Sequence, residues 1–160
     1  MKPVTDNQKI AQLLTDVADL LEIQAANPFR IRSYRIAAEA VGAHGENVAE
    51  LVGTEGALRE ALEIGQGLEA KIRQIVETGR SADRDALLDE VPEGLLELLR
   101  IPGLGPKTVG AIWRGLNVTS AHELRQAIED GRFRTLPRMG AKKEASVLAA
   151  LERLRKSTAS

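Results

Sequence analysis

The sequence predicts an all-α fold of two small helical domains, on three observations. Apolar residues recur at spacings of three and four along most of the chain, which is typical of helices packed on one face. Aromatic residues make up only 2% of the 160 residues, so aliphatic residues must form the core, and this composition favours helices over sheets. A small, charged segment near residue 82 divides the chain into domains at 1–82 and 83–156, before an expected disordered tail at 157–160.

The first domain begins with two long predicted helices. The first runs from about Asn7 to Ala26, with Thr5 or Asp6 as its N-cap. Asn27-Pro28 ends it, because the residue before a proline disfavours the helical conformation. The second helix follows from Phe29 to about Val41, and further helices are expected at residues 47–52, 57–63 and 68–78.

The second domain follows a predicted linker at residues 80–85. A short helix is expected at residues 85–91, and Pro92 opens the helix that leads into a central turn. Ser120 and Glu123 have the spacing of a capping box, in which the two residues satisfy amides at a helix start. This spacing predicts a helix at residues 121–130, and apolar periodicity predicts a last helix at 141–156.

The charges of the chain are unevenly distributed. The net charge is −1, but residues 1–100 carry 11 Lys/Arg against 18 Asp/Glu, whereas residues 101–160 carry 11 against 5. An excess of basic residues in one part of a chain predicts an anionic partner for that part.

The composition also predicts where the protein functions. The chain has no cysteine, which excludes disulfides and thiolate metal sites and suits a reducing compartment. It has no membrane-length apolar run and does not open on a secretory signal. We therefore expect a cytoplasmic protein with no membrane partner.

A tight turn joins two apolar helical segments at Ile101-Pro102-Gly103-Leu104-Gly105-Pro106-Lys107-Thr108. Gly103 and Gly105 permit positive φ and leave no Cβ above the turn, and Pro106 suits the first position of a helix. The free amides at such a helix start favour an anion, to which Lys107 adds a charge and Thr108 a hydroxyl. These features together predict a helix–hairpin–helix motif that grips nucleic-acid phosphates, rather than a purely structural corner.

Two degenerate copies of this turn lie about forty residues away on either side. The first, at residues 64–68, contains Gly65 and Gly67 and has Glu63 in place of the first glycine. The third, at residues 136–143, has Arg138 at that position. This spacing predicts an internal repeat of a helical-pair unit. Both degenerate copies can persist merely as packing corners, but Lys142 and Lys143 indicate that the third still contacts phosphate. The expected phosphate contacts are Gly65 and Gly67 in the first copy and Gly140, Lys142 and Lys143 in the third.

Arginines are also concentrated at the start of the second helix. Arg30 and Tyr34 stand four residues apart and share a helix face, while Arg35 points well away from Arg30. A guanidinium beside a phenol can hold a terminal phosphate. The arginine stems can equally lie along the surface of a small domain, and the spacing favours neither alternative.

With these residues, the chain resembles the N-terminal region of bacterial DNA polymerase family X, a lyase-type domain followed by a helix–hairpin–helix fingers domain. The most specific segment is Asn27-Pro-Phe-Arg-Ile-Arg-Ser-Tyr-Arg-Ile-Ala-Ala38, supported by Leu99-Arg-Ile-Pro-Gly-Leu-Gly-Pro-Lys107. The resemblance implies a polymerase β N-terminal-like fold. It also implies binding to DNA with a gap, a nick or a 5′-phosphate, and hence a location at the nucleoid.

The resemblance further implies site residues. Lys71 matches the lysine that forms a Schiff base with an abasic sugar, and Arg30 and Tyr34 match the residues that hold the 5′-phosphate. Phosphate-contacting lysines of the family fall on Gly67 and near Asp83 here, and Glu63 brings a negative charge, which weakens the implied lyase activity. Backbone carbonyls of Leu99, Ile101 and Leu104, or of Ala61 and Ile64, match those that hold Na⁺ or K⁺ in the family.

The features of a polymerase active site are absent from the sequence. No carboxylate cluster or strands for a two-Mg²⁺ palm follow Thr108, and His44 and His122 are too few for a phosphoesterase domain. Three hypotheses remain: a DNA-binding module for repair intermediates, an abasic-site lyase acting through Lys71, and a scaffold that binds another repair protein. The sequence leaves open whether the chain is a stand-alone module or a piece of a longer enzyme.

Overall fold

The computed structural model describes the backbone of residues 6–159 and the side chains of residues 6–156. Within this part of the chain every regular element is helical, which confirms the predicted all-α fold. None of the helices described combines the length and apolar character needed to span a bilayer. The predicted N-cap at Thr5 lies outside the described residues.

The chain divides into two compact units, the first formed by Met1–Leu21 with Ala26–Glu90 and the second by Glu22–Ala25 with Val91–Ser160. The division after Glu90 lies eight residues beyond the boundary predicted after residue 82, and a short segment from near the N-terminus belongs to the second unit. The α-helices are α1 (Asn7–Ile23), α2 (Pro28–Ala43), α3 (Ala57–Leu62), α4 (Gln66–Thr78), α5 (Ala82–Leu88), α6 (Gly94–Leu98), α7 (Pro106–Leu116), α8 (Ala121–Glu129) and α9 (Ala141–Ala159).

The first unit is built on the buried faces of α1, α2 and α4. Helix α2 begins where the sequence predicts, because the Asn27 side chain accepts a hydrogen bond from the Phe29 amide at 2.9 Å and Pro28 occupies the first turn. The core of the unit is aliphatic apart from Tyr34, and its buried residues include Ile10, Leu14, Val17, Leu21, Ala37, Val41, Leu58, Ile72 and Ile75.

The expected linker at residues 80–85 is instead largely part of helix α5. Ser81 is buried and caps this helix by accepting a hydrogen bond from the Arg84 amide at 3.1 Å. Arg84 Nε donates to Asp16 Oδ2 of helix α1 at 2.8 Å. The charged side chains that suggested a solvated connection are therefore engaged in contacts that hold α5 in the first unit.

The second unit is held together by close approaches between backbones at glycine. A Cβ on Gly94 would lie 2.0 Å from the Thr119 carbonyl oxygen, and one on Gly110 would lie 2.8 Å from the Ile23 carbonyl oxygen. Arg114 also donates to the Ile23 carbonyl, which ties residues 22–25 to helix α7. One half of the predicted capping box is present, since Ser120 Oγ accepts from the Glu123 amide at 3.1 Å, whereas Glu123 accepts at 2.8 Å from the amide of Thr119, one residue before the N-cap.

The last helix, α9, continues beyond the end predicted at Lys156, and its backbone is described to Ala159. The expected disordered tail falls on residues 157–160, of which the side chains, and for Ser160 also the backbone, lie outside the described part.

Candidate nucleic-acid interface

The three predicted turns share one backbone feature. Each has a residue in the left-handed region at the corresponding position: Glu63 at φ 53°, Gly103 at φ 91° and Arg138 at φ 67°. Two residues later, Gly65 and Gly105 both adopt an extended conformation, with ψ of 171° and 174°, immediately before a helix. The backbone of the turn is therefore kept where its first glycine is replaced, although L-residues rarely adopt positive φ.

The second turn combines buried anchors with an exposed apex. Ile101 and Leu104 are 1% and 4% exposed, and the Leu104 amide donates to the Ile101 carbonyl at 3.1 Å. Gly103 and Gly105 between and after them are exposed. A Cβ built on Gly105 would meet no atom of the described residues within 4 Å, so the space above this glycine is open.

Helix α7, which follows this turn, starts with unsatisfied amides. No side chain in the described part of the chain caps its N-terminus at Gly105. The first amides of an α-helix have no acceptor within the helix and carry its positive dipole end. Lys107 is exposed in this first turn and Thr108 is half-buried. The arrangement offers donors and positive charge to an anion.

The third turn contributes a lysine to the second. Lys143 lies in the first turn of α9, and its ammonium donates a hydrogen bond to the carbonyl of Gly103. Lys142 and Gly140 are exposed beside it. Within the second unit, a cation from the third copy of the motif thus lies at the apex of the second copy, which places Lys143 close to the amides of that turn.

The first turn has the same backbone but different side chains. Glu63 occupies the left-handed position, and Gly67 stands where the second turn has Lys107. Among the described residues no side chain caps α4 at Gly65. Glu69, in the first turn of α4, is 8% exposed and its Oε1 lies 3.2 Å from Arg59 Nε. The helix start is open here too, but it has the exposed Glu63 before it and no lysine in its first turn.

A cavity of about 350 Å³ in the first unit brings Lys71 and Tyr34 together with Asp83. Lys71 Nζ lies 2.6 Å from Asp83 Oδ2, and the Tyr34 hydroxyl donates to the same oxygen. Tyr34 is 2% exposed. The two groups that the resemblance assigned to an abasic sugar and a 5′-phosphate therefore share a carboxylate of the protein itself.

The electrostatics of this cluster favour a charged Asp83 and a neutral Tyr34. Burial, the Asp83 hydrogen bond and the Asp83 charge raise the pKa of Tyr34 far above its ordinary value, outweighing the attraction of Arg30. Burial opposes ionisation of Asp83, but hydrogen bonds from Lys71 and Tyr34 and the charges of Lys71 and Arg30 outweigh it and lower the pKa of that carboxyl. Asp83 is therefore an anion at neutral pH.

The two arginines predicted beside Tyr34 have different surroundings. Arg30 is exposed, and its positive charge acts on both Tyr34 and Asp83. Arg35 donates from Nη2 to Asp19 Oδ1 at 2.9 Å, on another face of α2. Arg30 thus belongs to the same cluster as Lys71, whereas Arg35 does not.

The carbonyls predicted to hold a monovalent cation lie in the second turn. The Ile101 carbonyl accepts one hydrogen bond and keeps a second lone pair, and Leu99 and Leu104 flank it. Neutral carbonyl oxygens suit a hard monovalent ion. Among the described residues no group of three or more His, Asp or Glu side chains has an arrangement that would hold a metal ion.

Comparisons with known proteins agree with this architecture. Residues 5–81 match a helix-hairpin-helix domain, and residues 95–153 match a SAM-like helix-hairpin-helix tandem. The chain is 32% identical, over 142 residues and 89% of its length, to the DNA polymerase/3′-5′ exonuclease PolX of Bacillus subtilis (strain 168). The chain is similar to the N-terminal part of a family X DNA polymerase. It spans 24% of the length of that relative.

These matches confirm the helix–hairpin–helix motifs and the family resemblance predicted from the sequence. The first match contains the turn at Gly65, and the second contains the turns at Gly105 and Gly140.

The contacts of Asp83 with Tyr34 and Lys71 were not predicted from the sequence. The signal was present, because an acidic residue stands at Asp83 where the family resemblance implies a phosphate-contacting lysine. Asp83 falls within the expected linker at residues 80–85. Its contact with Tyr34 spans 49 residues and its contact with Lys71 spans 12. Contacts of this kind depend on how helices pack and have no local sequence pattern.

Proposed function

We propose that this chain binds the sugar–phosphate backbone of DNA without reading sequence, mainly through the second unit. The observation that carries the proposal is the start of α7, where amides without a side-chain cap from the described residues meet open space above Gly105. Lys107 and Lys143 add positive charge at the same turn. Hydrogen-bond donors and positive charges arranged in this way bind phosphate oxygens. Such contacts do not distinguish one base sequence from another.

The phosphate-binding set that we propose spans all three turns and the start of helix α2. In the second and third turns it comprises Gly103, Gly105, Lys107, Thr108, Gly140, Lys142 and Lys143. Gly65 and Gly67 of the first turn, with Arg30, Tyr34 and Arg35, complete the predicted set. We expect these five to contribute little, because Asp83 already accepts from Tyr34 and Arg35 pairs with Asp19. The excess of basic residues after residue 100 makes the second unit the main contributor.

The preferred DNA is, in this proposal, a repair intermediate with a gap, a nick or an abasic site. The likeness to the N-terminal part of a DNA polymerase supports this choice. Scarcity of aromatic side chains argues against a platform that stacks single-stranded bases. A chain that acts on such intermediates would associate with the nucleoid.

The test is fluorescence anisotropy of a labelled gapped duplex across a series of salt concentrations. Each phosphate contact is expected to contribute a slope of about −0.9 to the plot of log affinity against log salt. Lys107→Ala and Lys143→Ala are each expected to reduce that slope by about one. A flat salt dependence would contradict the proposal.

Lys156→Ala is the matched control for these variants. Lys156 lies on the same helix as Lys143, about 20 Å further along at 1.5 Å per residue, and is exposed. Its removal changes the net charge equally and is expected to leave affinity nearly unchanged. If all three variants lose affinity equally, general charge rather than the turn binds DNA. If none does, the scaffold hypothesis, in which the helical pairs bind another repair protein, is favoured.

A lyase that acts through Lys71 is the second candidate, because Lys71 lines a cavity with Tyr34. A Schiff base requires the Lys71 nitrogen to reach the sugar carbon, whereas Lys71 Nζ lies 2.6 Å from Asp83 Oδ2 and would have to leave this partner. We expect borohydride to trap no adduct with a 5′-incised abasic duplex. An adduct that Lys71→Ala abolishes would establish the lyase.

We also propose that the carbonyls of Leu99, Ile101 and Leu104 hold Na⁺ or K⁺ when DNA is bound. Such an ion would neutralise phosphate charge next to the turn. At constant ionic strength, replacing K⁺ by a bulky organic cation is expected to weaken binding of the gapped duplex, and unchanged affinity would exclude the ion.

A further inference from the structure

We infer that Asp83 is an internal anion that occupies the cationic pocket of the first unit and prevents it from selecting a DNA 5′-phosphate. The pocket consists of Lys71 and Tyr34 with Arg30 nearby. This inference rests on the proposed DNA binding and makes Asp83 a specificity-determining residue, through which the first unit would tolerate DNA ends without preferring phosphorylated ones.

The contacts of Asp83 are those that an external phosphate would need. One oxygen, Oδ2, accepts from the Tyr34 hydroxyl and lies 2.6 Å from Lys71 Nζ. The positive charge of Arg30 acts on the same carboxylate. A phosphate entering the pocket would have to replace this oxygen on both donors, or lie beside a fixed negative charge.

Asp83 is held in place by the helix that carries it. It lies in the first turn of α5, two residues after Ser81, which is 4% exposed and caps that helix. The Ala82 amide donates to Gln74 Oε1 of α4 at 3.0 Å, and Arg84 Nε donates to Asp16 of α1 at 2.8 Å. These bonds on both sides of Asp83 fix the carboxylate against the pocket, so it does not withdraw as a mobile loop would.

The charges of the pocket are consistent with an occupied anion site. Lys71 and Asp83 side chains are 39% and 27% exposed, so the pair is accessible to an incoming ligand yet partly shielded from solvent. Removing the carboxylate would leave Lys71 and Arg30 without this counter-charge and free the Tyr34 hydroxyl as a donor. The vacated cavity then has the charge and the donors that a phosphate monoester requires.

The experiment compares the full chain and its Asp83→Asn variant on gapped duplexes that carry either a 5′-phosphate or a 5′-hydroxyl at the gap. Binding is measured by anisotropy at one salt concentration. For the wild type we expect the two duplexes to bind within about twofold of each other. For Asp83→Asn we expect a preference of about tenfold or more for the 5′-phosphate, because the neutral amide no longer repels the phosphate and a phosphate can displace it from Lys71 and Tyr34.

Asp85→Asn is the matched control, because Asp85 lies on the same helix and pairs with the exposed Arg80 at 3.0 Å. It changes the net charge equally and is expected to behave as the wild type. A wild-type preference above about fivefold for the 5′-phosphate, or equal preferences in both variants, would overturn the inference.

A second measurement separates this inference from DNA binding itself. Tyr34 is the single tyrosine of the chain, so its ring resonances report directly on the pocket. Millimolar inorganic phosphate is expected to move these resonances in Asp83→Asn and to leave them unchanged in the wild type and Asp85→Asn. Loss of all DNA binding would refute the proposed function alone, whereas unchanged Tyr34 resonances in folded Asp83→Asn would refute the role of Asp83.

Discussion

The turn at Glu63–Gly67 in the first unit and the turn at Gly103–Lys107 in the second have the same backbone but different chemistry. Both have a left-handed residue followed by an extended glycine and a helix without a side-chain cap from the residues described. The first turn carries Glu63 and lacks a lysine, whereas the second carries Lys107 and receives Lys143. The same hairpin backbone is therefore formed with and without the lysines that make the second turn a candidate phosphate site.

The other helix starts in the described part of the chain differ in their caps. Helices α2, α5 and α8 are capped by the side chains of Asn27, Ser81 and Ser120, respectively, whereas α3 and α6 have no side-chain cap from a described residue. A side-chain cap satisfies amides that would otherwise be available to an anion. The helices that follow the glycine turns at Gly65 and Gly105 have no such cap from any described residue. Amides thus remain available in both units, and the charges around them differ.

The largest expected change is in DNA affinity, which should fall in Gly105→Ala but hardly at all in Gly65→Ala. Both glycines have φ that alanine tolerates and, within the described part of the chain, open space for a Cβ, so each should cost less than about 1 kcal/mol of stability. A methyl group at Gly105 would obstruct a phosphate, and affinity for gapped duplex should fall about tenfold, whereas Gly65→Ala should change it less than twofold. Equal losses in anisotropy titrations would show that both turns bind DNA alike.

Gly67→Lys should give the first turn a positive charge at the position where the second turn has Lys107. Gly67 is exposed within α4, and replacing a helical glycine stabilises a helix by about 1 kcal/mol. The added lysine should raise DNA affinity about threefold, since one exposed phosphate contact contributes on the order of 0.5 kcal/mol. Gly67→Ala is the control, because it should raise the melting temperature without a gain in affinity.

Glu63→Gly and Arg138→Gly should separate the effect of backbone strain on stability from the effect of side-chain charge on DNA affinity. Both residues have positive φ, so glycine should stabilise each unit by about 1 kcal/mol in chemical denaturation. Their effects on DNA affinity should be small and opposite, about a twofold gain for Glu63→Gly and a twofold loss for Arg138→Gly. Affinity changes of the same sign would mean that the backbone, not the charge, determines binding at these turns.

The smallest expected change is a shift in the pKa of Tyr34 in the first unit, which is measured by spectroscopy. The pKa of Tyr34 is raised by burial first, and then by the hydrogen bond to Asp83 and its charge. Asp83→Asn removes the charge but not the burial, so the pKa should fall part of the way toward its ordinary value near 10. Ultraviolet absorbance of the phenolate, followed as a function of pH, measures this change, and Asp85→Asn should leave the titration unchanged.

The raised pKa of Tyr34 also predicts how stability depends on pH. Above the ordinary value near 10, the unfolded chain loses the tyrosine proton while the folded chain keeps it. The unfolded state then binds fewer protons, so the contribution of Tyr34 to stability declines as the pH rises through this range. In Asp83→Asn this decline should be smaller, which denaturation with urea at several alkaline pH values would reveal.

The parts of the fold that could be predicted are those with local causes. Asn27 before Pro28, and Ser120 three residues before Glu123, fix helix starts through contacts between near neighbours. The glycines of the second turn likewise indicate its shape without reference to the rest of the chain. The helix–hairpin–helix motifs followed from such signals, because turn geometry depends on a few consecutive residues.

The parts that could not be predicted depend on distant partners. Helix α5 looked like a linker because its charged residues suggest solvent, but Arg84 reaches Asp16 across 68 residues. The sequence predicts that Lys143 contacts a phosphate. The repeat alone does not predict its hydrogen bond to the Gly103 carbonyl, which spans 40 residues. In both cases the short-range pattern identified the residue type, and only the packing of helices determined the partner.

The hydrogen bond from Arg114 to the Ile23 carbonyl limits how this chain can be dissected. Residues 22–25 belong to the same compact unit as Val91–Ser160, so the second unit is discontinuous in sequence. A polypeptide that starts at Val91 would lose the backbone that Gly110 accommodates and leave the Arg114 guanidinium without this acceptor. The second unit therefore cannot be excised by a single cut and grafted onto another protein as an autonomous domain.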